Sequence, residues 1–358
     1  MIELVKINHN FKKKKLLEDF SLKIKSNAVT SILGQSGSGK TTLLRLICGL
    51  EKIQAGVINF ENNLKSESSE HIKKEEHISF VFQDSALFPH LNTIENIFYG
   101  LSKKNHNLTN KIHALINDHN LDKIKFSYPH QLSGGQKQLV ALLRGLASSP
   151  KIILLDEPFS NLDTRLREKL RDQVLHILKD YNITSVIVTH DADEAMFMSD
   201  YIAVLQNGKL QQFGKPVDLY TRPRNRFVAE FFGEINVLPG KKIKSKLSTP
   251  LGLFSLNRKS LISNYSLVVR SEGIKITNSS TEDTFVDIKK NIHLVKSPNN
   301  GRVIESKFLG GSTIVHLGLK GMQNNEHLHV KIPGINYFEN NQIVNLYTDV
   351  NYSYIFES

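Results

Sequence analysis

Cysteine is almost missing from this sequence. Cys48 is the only one, which excludes an intrachain disulfide and agrees with a reducing compartment. Long apolar runs are missing as well: nothing approaches the roughly eighteen consecutive apolar residues of a membrane-spanning helix. The opening "MIELVKINHNFKKKKLL" alternates apolar and charged residues and lacks the apolar centre of a secretory signal. No heptad run is present, so a long coiled coil is excluded. What is there is an ordinary globular composition, 40% hydrophobic and 23% charged, in 358 residues, enough for two domains. The net charge of +11 admits nucleic acid, an anionic membrane surface or plain solubility. Solubility is favoured, because the basic residues are scattered and the one dense run, Lys12 to Lys15, reads as a solvated hairpin tip.

"AVTSILGQSGSGKTTLLRLICGL" carries the first chemistry. Val29, Ile32 and Leu33 predict a short buried strand, and Leu43, Leu44, Leu46 and Ile47 a helix stopped by Gly49. Between them Gly34, Gln35, Ser36, Gly37, Ser38, Gly39, Lys40, Thr41 and Thr42 fulfil the phosphate-loop pattern. Glycines let successive backbone N–H groups converge on phosphate oxygens, and the helix N-terminus adds partial positive charge there. The pattern expects Lys40 on the β- and γ-phosphates of ATP and the Thr41 hydroxyl on Mg²⁺. Cys48, in the helix that follows, is expected to be a small core residue.

"LSGGQKQLVALLRGLASSPKIILLDEPFSNLD" carries the second. Its apolar Ile152–Leu155 run predicts a central parallel strand that delivers Asp156 and Glu157 beside the phosphate loop. Asp156 is then placed to hold Mg²⁺, and Glu157 to orient and deprotonate an attacking water. Leu132, Ser133, Gly134, Gly135 and Gln136 open a helix as a second anion site. One chain cannot easily aim both sites at one γ-phosphate; two chains paired by a two-fold can.

LSGGQ just before an LLDEP strand resembles the signature of ATP-binding-cassette (ABC) ATPases, over about two-thirds of the chain. The resemblance assigns Gln83 to the Q-loop (catalytic, and a metal ligand with Thr41 and Asp156), Asp163 to the D-loop, His190 to the switch histidine and Phe11 to an adenine-stacking aromatic. It implies an α/β P-loop NTPase with a RecA-like core and a helical subdomain near residues 84–140. Three positions depart from the family's pattern: Leu139 stands where an arginine is usual, Glu76 replaces an arginine and Ser79 a glycine. These are expected to alter packing or rate rather than abolish activity.

"LFPHLNTIENIFYGL" and "YPHQLSGG" are similar to importer ATPases, in which the helical region docks a membrane permease. After residue 235, short alternating segments broken by Gly, Asn and Pro predict an all-β, oligonucleotide-binding-like (OB-like) barrel, similar to the C-terminal TOBE domain of importers for maltose, polyamines and ferric iron. In "VVRSEGI" Ser271 replaces a proline common in that group. The domains expected are thus 1–235 and 236–358. The resemblance implies a homodimeric ATPase on the cytoplasmic face of the membrane, working with permease subunits and indirectly with an extracytoplasmic solute-binding protein. It leans towards ferric iron, with polyamines or another small solute, or a soluble ABC ATPase acting on nucleic acid, as alternatives. Nucleic acid is not an expected partner, since no RNA-binding motif is present.

Overall fold

A computed structural model describes the chain apart from residues 13, 61–63, 67–77, 100, 102–105, 161, 257–263, 279–292, 321–325 and 358. The departure at Glu76 lies outside the described residues. The chain divides into two compact units, Met1–Pro216 and Val217–Ser358.

The first unit runs β1 (Ile2–Phe11), β2 (Lys14–Ile24), β3 (Val29–Gly34), α1 (Lys40–Ile47), β4 (Ala55–Phe60), β5 (Leu64–Ser66), β6 (Ile78–Val81), α2 (Thr93–Phe98), α3 (His106–Asp118), α4 (Gly134–Leu146), β7 (Ile152–Asp156), α5 (Thr164–Asp180), β8 (Thr184–Thr189), α6 (Ala192–Met198), β9 (Tyr201–Gln206) and β10 (Lys209–Gly214). Its main sheet has the order β10-β9-β3-β8-β7-β6, with β9, β3, β8, β7 and β6 parallel. β3, β7 and β8 are buried at every position. A parallel strand is covered on both faces, so Ile152–Leu155 of β7 read as an unbroken apolar run, while β3 and β8 carry buried Thr30, Ser31, Thr184, Ser185 and Thr189 among their apolar residues. Within β7, Ile152 and Leu154 join one core cluster with α1, while Ile153 and Leu155 join the other with α4 and α5. A smaller antiparallel sheet, β2-β1-β4-β5, has the alternating burial of strands with one wet face.

Helix ends follow the side chains available. Gly49, at φ 68°, stops α1 as expected, and its N–H donates to the Leu46 carbonyl at 3.2 Å. Cys48 is half-buried at the C-terminal cap of α1 rather than inside the core, and its thiol lies 3.4 Å from the Arg45 carbonyl. Leu170, Val174, Ile177 and Leu178 form the buried stripe of α5 at helical spacing.

Helix α7 (Pro216–Thr221) starts at the last residue of the first unit, and the second unit continues with α8 (Arg226–Phe231), β11 (Ile235–Ile243), β12 (Lys246–Thr249), β13 (Gly252–Ser255), β14 (Asn264–Arg270), β15 (Ile274–Asn278), β16 (Leu294–Lys296), β17 (Gly301–Phe308), β18 (Ser312–Leu319), β19 (Leu328–Pro333), β20 (Ile343–Asp349) and β21 (Ser353–Glu357). Two antiparallel sheets, β13-β12-β11-β14-β21 and β15-β20-β17-β18-β19 with β16 on β20, share one core that includes Leu238, Leu267, Val315, Leu317 and Leu346. The all-β, OB-like expectation agrees with this layout. Residues 217–235 pack with the β-strands because Arg270, fully buried at the end of β14, donates to the carbonyls of Tyr220, Ala229 and Phe232 at 2.9, 3.1 and 3.3 Å. Its guanidinium also stacks 3.8 Å from the centre of the Tyr220 ring.

Candidate functional site

Four adjacent parallel strands end at one edge of the main sheet, and each hands over a predicted residue. β3 leads into the phosphate loop, β7 ends on Asp156, β8 is followed by His190, and β6 by Gln83. Ligands of open α/β sheets sit at this carboxyl edge.

The loop's glycines are sterically required. A Cβ on Gly34 would stand 2.4 Å from the Leu205 carbonyl oxygen, and one on Gly39, at φ 101°, 2.8 Å from that of Leu16. Lys40, only 4% exposed, donates to the carbonyls of Gly34 and Gln35 at 2.9 and 3.0 Å. Burial lowers its pKa, and the charges of Glu157 and Asp156 oppose that shift. A cleft of about 280 Å³ is lined by Leu16, Ser36, Gly37, Gly39, Lys40, Thr41, Thr42 and Glu157. Gln35 and Ser38 belong to the same loop, and the Gln35 carbonyl accepts from the Ser38 N–H at 3.2 Å.

Two contacts join the phosphate loop's surroundings to the carboxylates. Thr41 Oγ1 donates to Asp156 Oδ1 at 2.9 Å, and Glu157 Oε2 lies 3.2 Å from His190 Nδ1. Burial raises the Asp156 pKa; the Thr41 hydrogen bond lowers it, and Glu157 raises it further. Glu157 itself sits at φ 43°, in the left-handed region that non-glycine residues avoid. The chain is held there by the Glu157 N–H, which donates to the Val188 carbonyl at 2.9 Å. Gln83 Nε2 donates to Ser160 Oγ at 3.2 Å, and that hydroxyl donates to the Glu157 carbonyl at 3.0 Å. Glu157 is therefore linked to both β6 and β8.

Phe11 is 58% exposed at the end of β1 and pairs in register with Lys14 on β2. Lys14 Nζ in turn lies 3.9 Å from where a Gly37 Cβ would stand, so the hairpin flanks the loop. Ser133 caps α4 in a reciprocal capping box with Gln136, with bonds of 2.8 and 3.3 Å. Ser133 and Gly134 are exposed, whereas Leu132 and Gly135 are buried. Gly135 packs on α5: a Cβ there would sit 2.9 Å from Leu166 Cδ2. Asp163 caps the same helix by accepting from the Leu166 N–H at 3.0 Å. None of residues 132–136 lines the phosphate-loop cleft.

Sequence reasoning missed the anchors of the segment after Gln83. Arg144 on α4 donates to the carbonyls of Ala86 and Ser85 at 2.7 and 3.0 Å, and Ser85 Oγ donates to Gln138 Oε1 at 2.8 Å. Ser85 and Ala86 both have positive φ, 63° and 39°. Fully buried Asn96 donates to the carbonyls of Phe88 and Leu91 at 3.1 and 2.9 Å. An arginine inside an apolar helix was the one available signal. Of the departures, Leu139 simply joins the apolar core. Ser79 faces Gly145 of α4, where a Cβ would meet its Oγ at 2.7 Å. The hydroxyl fits because the helix has no side chain at that point.

Residues 17–160 match the family model described as ABC transporter. The chain is 35% identical to the Fe(3+) ions import ATP-binding protein FbpC of Pseudomonas fluorescens over 91% of its length and 90% of the relative's. It is 42% identical to the sulfate/thiosulfate import ATP-binding protein CysA of Pseudomonas aeruginosa, over 66% of this chain and 73% of the relative's. A dimeric ATP-binding cassette in a post-hydrolysis state, bound to ADP and Pi, superposes with a TM-score of 0.52 at 30% identity, covering 60% of this chain and 99% of that one. With the strand-edge constellation and a likeness that spans nearly the whole sequence, the chain belongs to the ABC transporter family, among the ATP-binding subunits of importers.

Proposed function

We propose that two copies of this chain hydrolyse ATP at shared sites, on the cytoplasmic face of the membrane, to drive solute uptake through separate permease subunits fed by an extracytoplasmic binding protein. The pair of contacts Thr41–Asp156 and Glu157–His190, flanking one glycine loop, carries this reading.

Residues 34–42 bind the phosphates through backbone N–H groups and Lys40, and Phe11 stacks on the adenine. Thr41, Asp156 and Gln83 offer hard oxygen donors that suit Mg²⁺. The ion, when bound, neutralises phosphate charge. Glu157 takes the proton of the attacking water, and His190 fixes the carboxylate's direction and touches the γ-phosphate. The exposed turn Ser133–Gly134 with Gln136 supplies N–H groups to the partner's nucleotide, and Asp163 sits beside that seam. Closure then assembles a site that neither copy has alone, so ATP biases an open–closed equilibrium through its differential affinity. Exposed Tyr99 and Phe126 flank α2, where the Thr93 and Ile94 N–H groups donate to the Ser127 and Lys125 carbonyls. This is the surface offered to the permease.

For the transported solute, the likeness to FbpC supports the ferric ion, because it extends through the β-strand unit, 91% of the chain. The higher identity to CysA, 42%, favours sulfate as a second reading, but it stops at 66% of the chain. The test of the ATPase reading is Glu157→Gln. It should lose about 10²–10⁴ in turnover, the scale of general-base loss, yet form an ATP-dependent dimer in sedimentation. Unchanged hydrolysis would refute it.

A further inference from the structure

Three imidazoles meet on one face of the sheet formed by β17, β18 and β19. His316 on β18 stands directly opposite His329 on β19. His327 precedes His329 by two residues, and side chains two apart along an extended chain share a face. The ring centroids are 4.6–4.9 Å apart, and one ligand nitrogen from each ring lies within 4.8 Å of the others. The Nε2 atoms of His327 and His329 are 2.8 Å apart. Around one tetrahedral ion with N at about 2.0–2.1 Å, imidazole nitrogens stand roughly 3.3 Å from one another. Small rotations of these rings reach that spacing.

The surroundings hold the rings in place for a ligand role. Asn236 on β11 clasps the His329 backbone from both sides, accepting from its N–H and donating to its carbonyl at 2.8 Å each. The Glu234 carboxylate accepts from His329 Nδ1, which leaves the Nε2 lone pair turned to the other rings. Burial first, then the two neighbouring imidazoles, holds His316 below its usual pKa. A cleft of about 250 Å³ between Ile235–Val237 and Glu326–His329 opens onto the cluster. A chance gathering of surface histidines explains neither the clasp on the backbone nor the carboxylate behind the ring.

We propose that His316, His327 and His329 bind a borderline divalent transition-metal ion of the Zn²⁺ class, with Glu234 orienting His329. Three imidazoles select Zn²⁺, Ni²⁺ or Cu²⁺ over the hard ions Mg²⁺ and Ca²⁺. The fourth coordination position stays open to water or a small anion. The site is built wholly within Val217–Ser358 and does not depend on the nucleotide-site reading.

The test is a titration of the full-length, nucleotide-free chain with Zn²⁺ against a chromophoric chelator, with Co²⁺ absorption as a geometric readout. One equivalent of Zn²⁺ should be bound, with tetrahedral Co²⁺ bands and a higher melting temperature in Zn²⁺. His316→Ala combined with His327→Ala should remove binding, and Glu234→Gln should weaken it about 10–100-fold. His113→Ala, outside the cluster, should bind as the native chain does. A native chain that takes up no stoichiometric Zn²⁺, or a double variant that binds like it, overturns the site. If the double variant does not fold, the native Co²⁺ spectrum decides: octahedral bands or none overturn the proposal.

Discussion

Glu157 and His190 lie 3.2 Å apart, Oε2 to Nδ1, although they come from two different strand ends and the glutamate holds a left-handed backbone to get there. A strained residue persists only where its surroundings over-determine it. Here those surroundings are the Val188 carbonyl, the Ser160 hydroxyl and the imidazole.

His190→Ala should lower kcat for ATP hydrolysis by about 10²-fold or more while changing nucleotide affinity little, because in the proposed site the imidazole aims the base and meets only the γ-phosphate, whereas the loop and Lys40 hold the rest of the nucleotide. Steady-state kinetics with separate ATP binding measurements check this. An equal loss of affinity and turnover would point to a binding role instead.

Ser133→Arg should block ATP-dependent dimerisation and leave the monomer folded. Ser133 is exposed, and its replacement puts bulk and charge at the N-terminus of α4. Sedimentation of the doubly substituted Ser133→Arg, Glu157→Gln protein with ATP is the measurement, and a persistent dimer would count against the shared site.

Stability should fall with rising pH through one buried group. Glu194 on α6 is 3% exposed, and its carboxyl is pushed from an ordinary 4.5 up to about 8 by burial, against a lowering hydrogen bond from Thr189. Asp191 raises it further, while Arg171 and Arg167 lower it. The folded chain thus keeps a proton between about 4.5 and about 8 that the unfolded chain releases. The stabilisation is full below that window and is lost as pH rises through it. Glu194→Gln should flatten the dependence, so its melting temperature should drop less than the native chain's between the acidic and alkaline ends of the window.

Arg270→Met should destabilise the β-strand unit by about 2–4 kcal/mol, since it removes three hydrogen bonds and takes the guanidinium donor from the buried Ala229 and Phe232 carbonyls, while that of Tyr220 keeps the Tyr354 hydroxyl. Chemical denaturation followed by tyrosine fluorescence measures it. ATP affinity, read in parallel, should not move.

Local pattern alone disclosed the phosphate loop, its flanking strand and helix, the two carboxylates at the end of β7, and the helix that opens at Ser133. Each of these rests on interactions within a few residues: glycine conformations, helix caps, and the unbroken apolar run of a doubly covered strand. The alternation in "GRVIESKFLGGSTIVHLGL" likewise marked β17 and β18. Gln83, His190, Phe11 and Asp163 were legible only through the resemblance, because a lone residue after a strand has no local signature.

What the sequence determined by itself was the inventory: a glycine cradle, a pair of carboxylates ending an apolar strand, two glycine turns that open helices and a β-rich second unit, because these follow from short-range sterics and periodicity. What tertiary structure alone decided was adjacency. The strand order 3-8-7-6 brings residues some 150 positions apart to one edge, Arg144 and Asn96 pin the segment after Gln83, and antiparallel register sets His316 against His329. Those pairings depend on which strands lie side by side and in what register, and such long-range packing leaves no trace in the spacing of neighbouring residues.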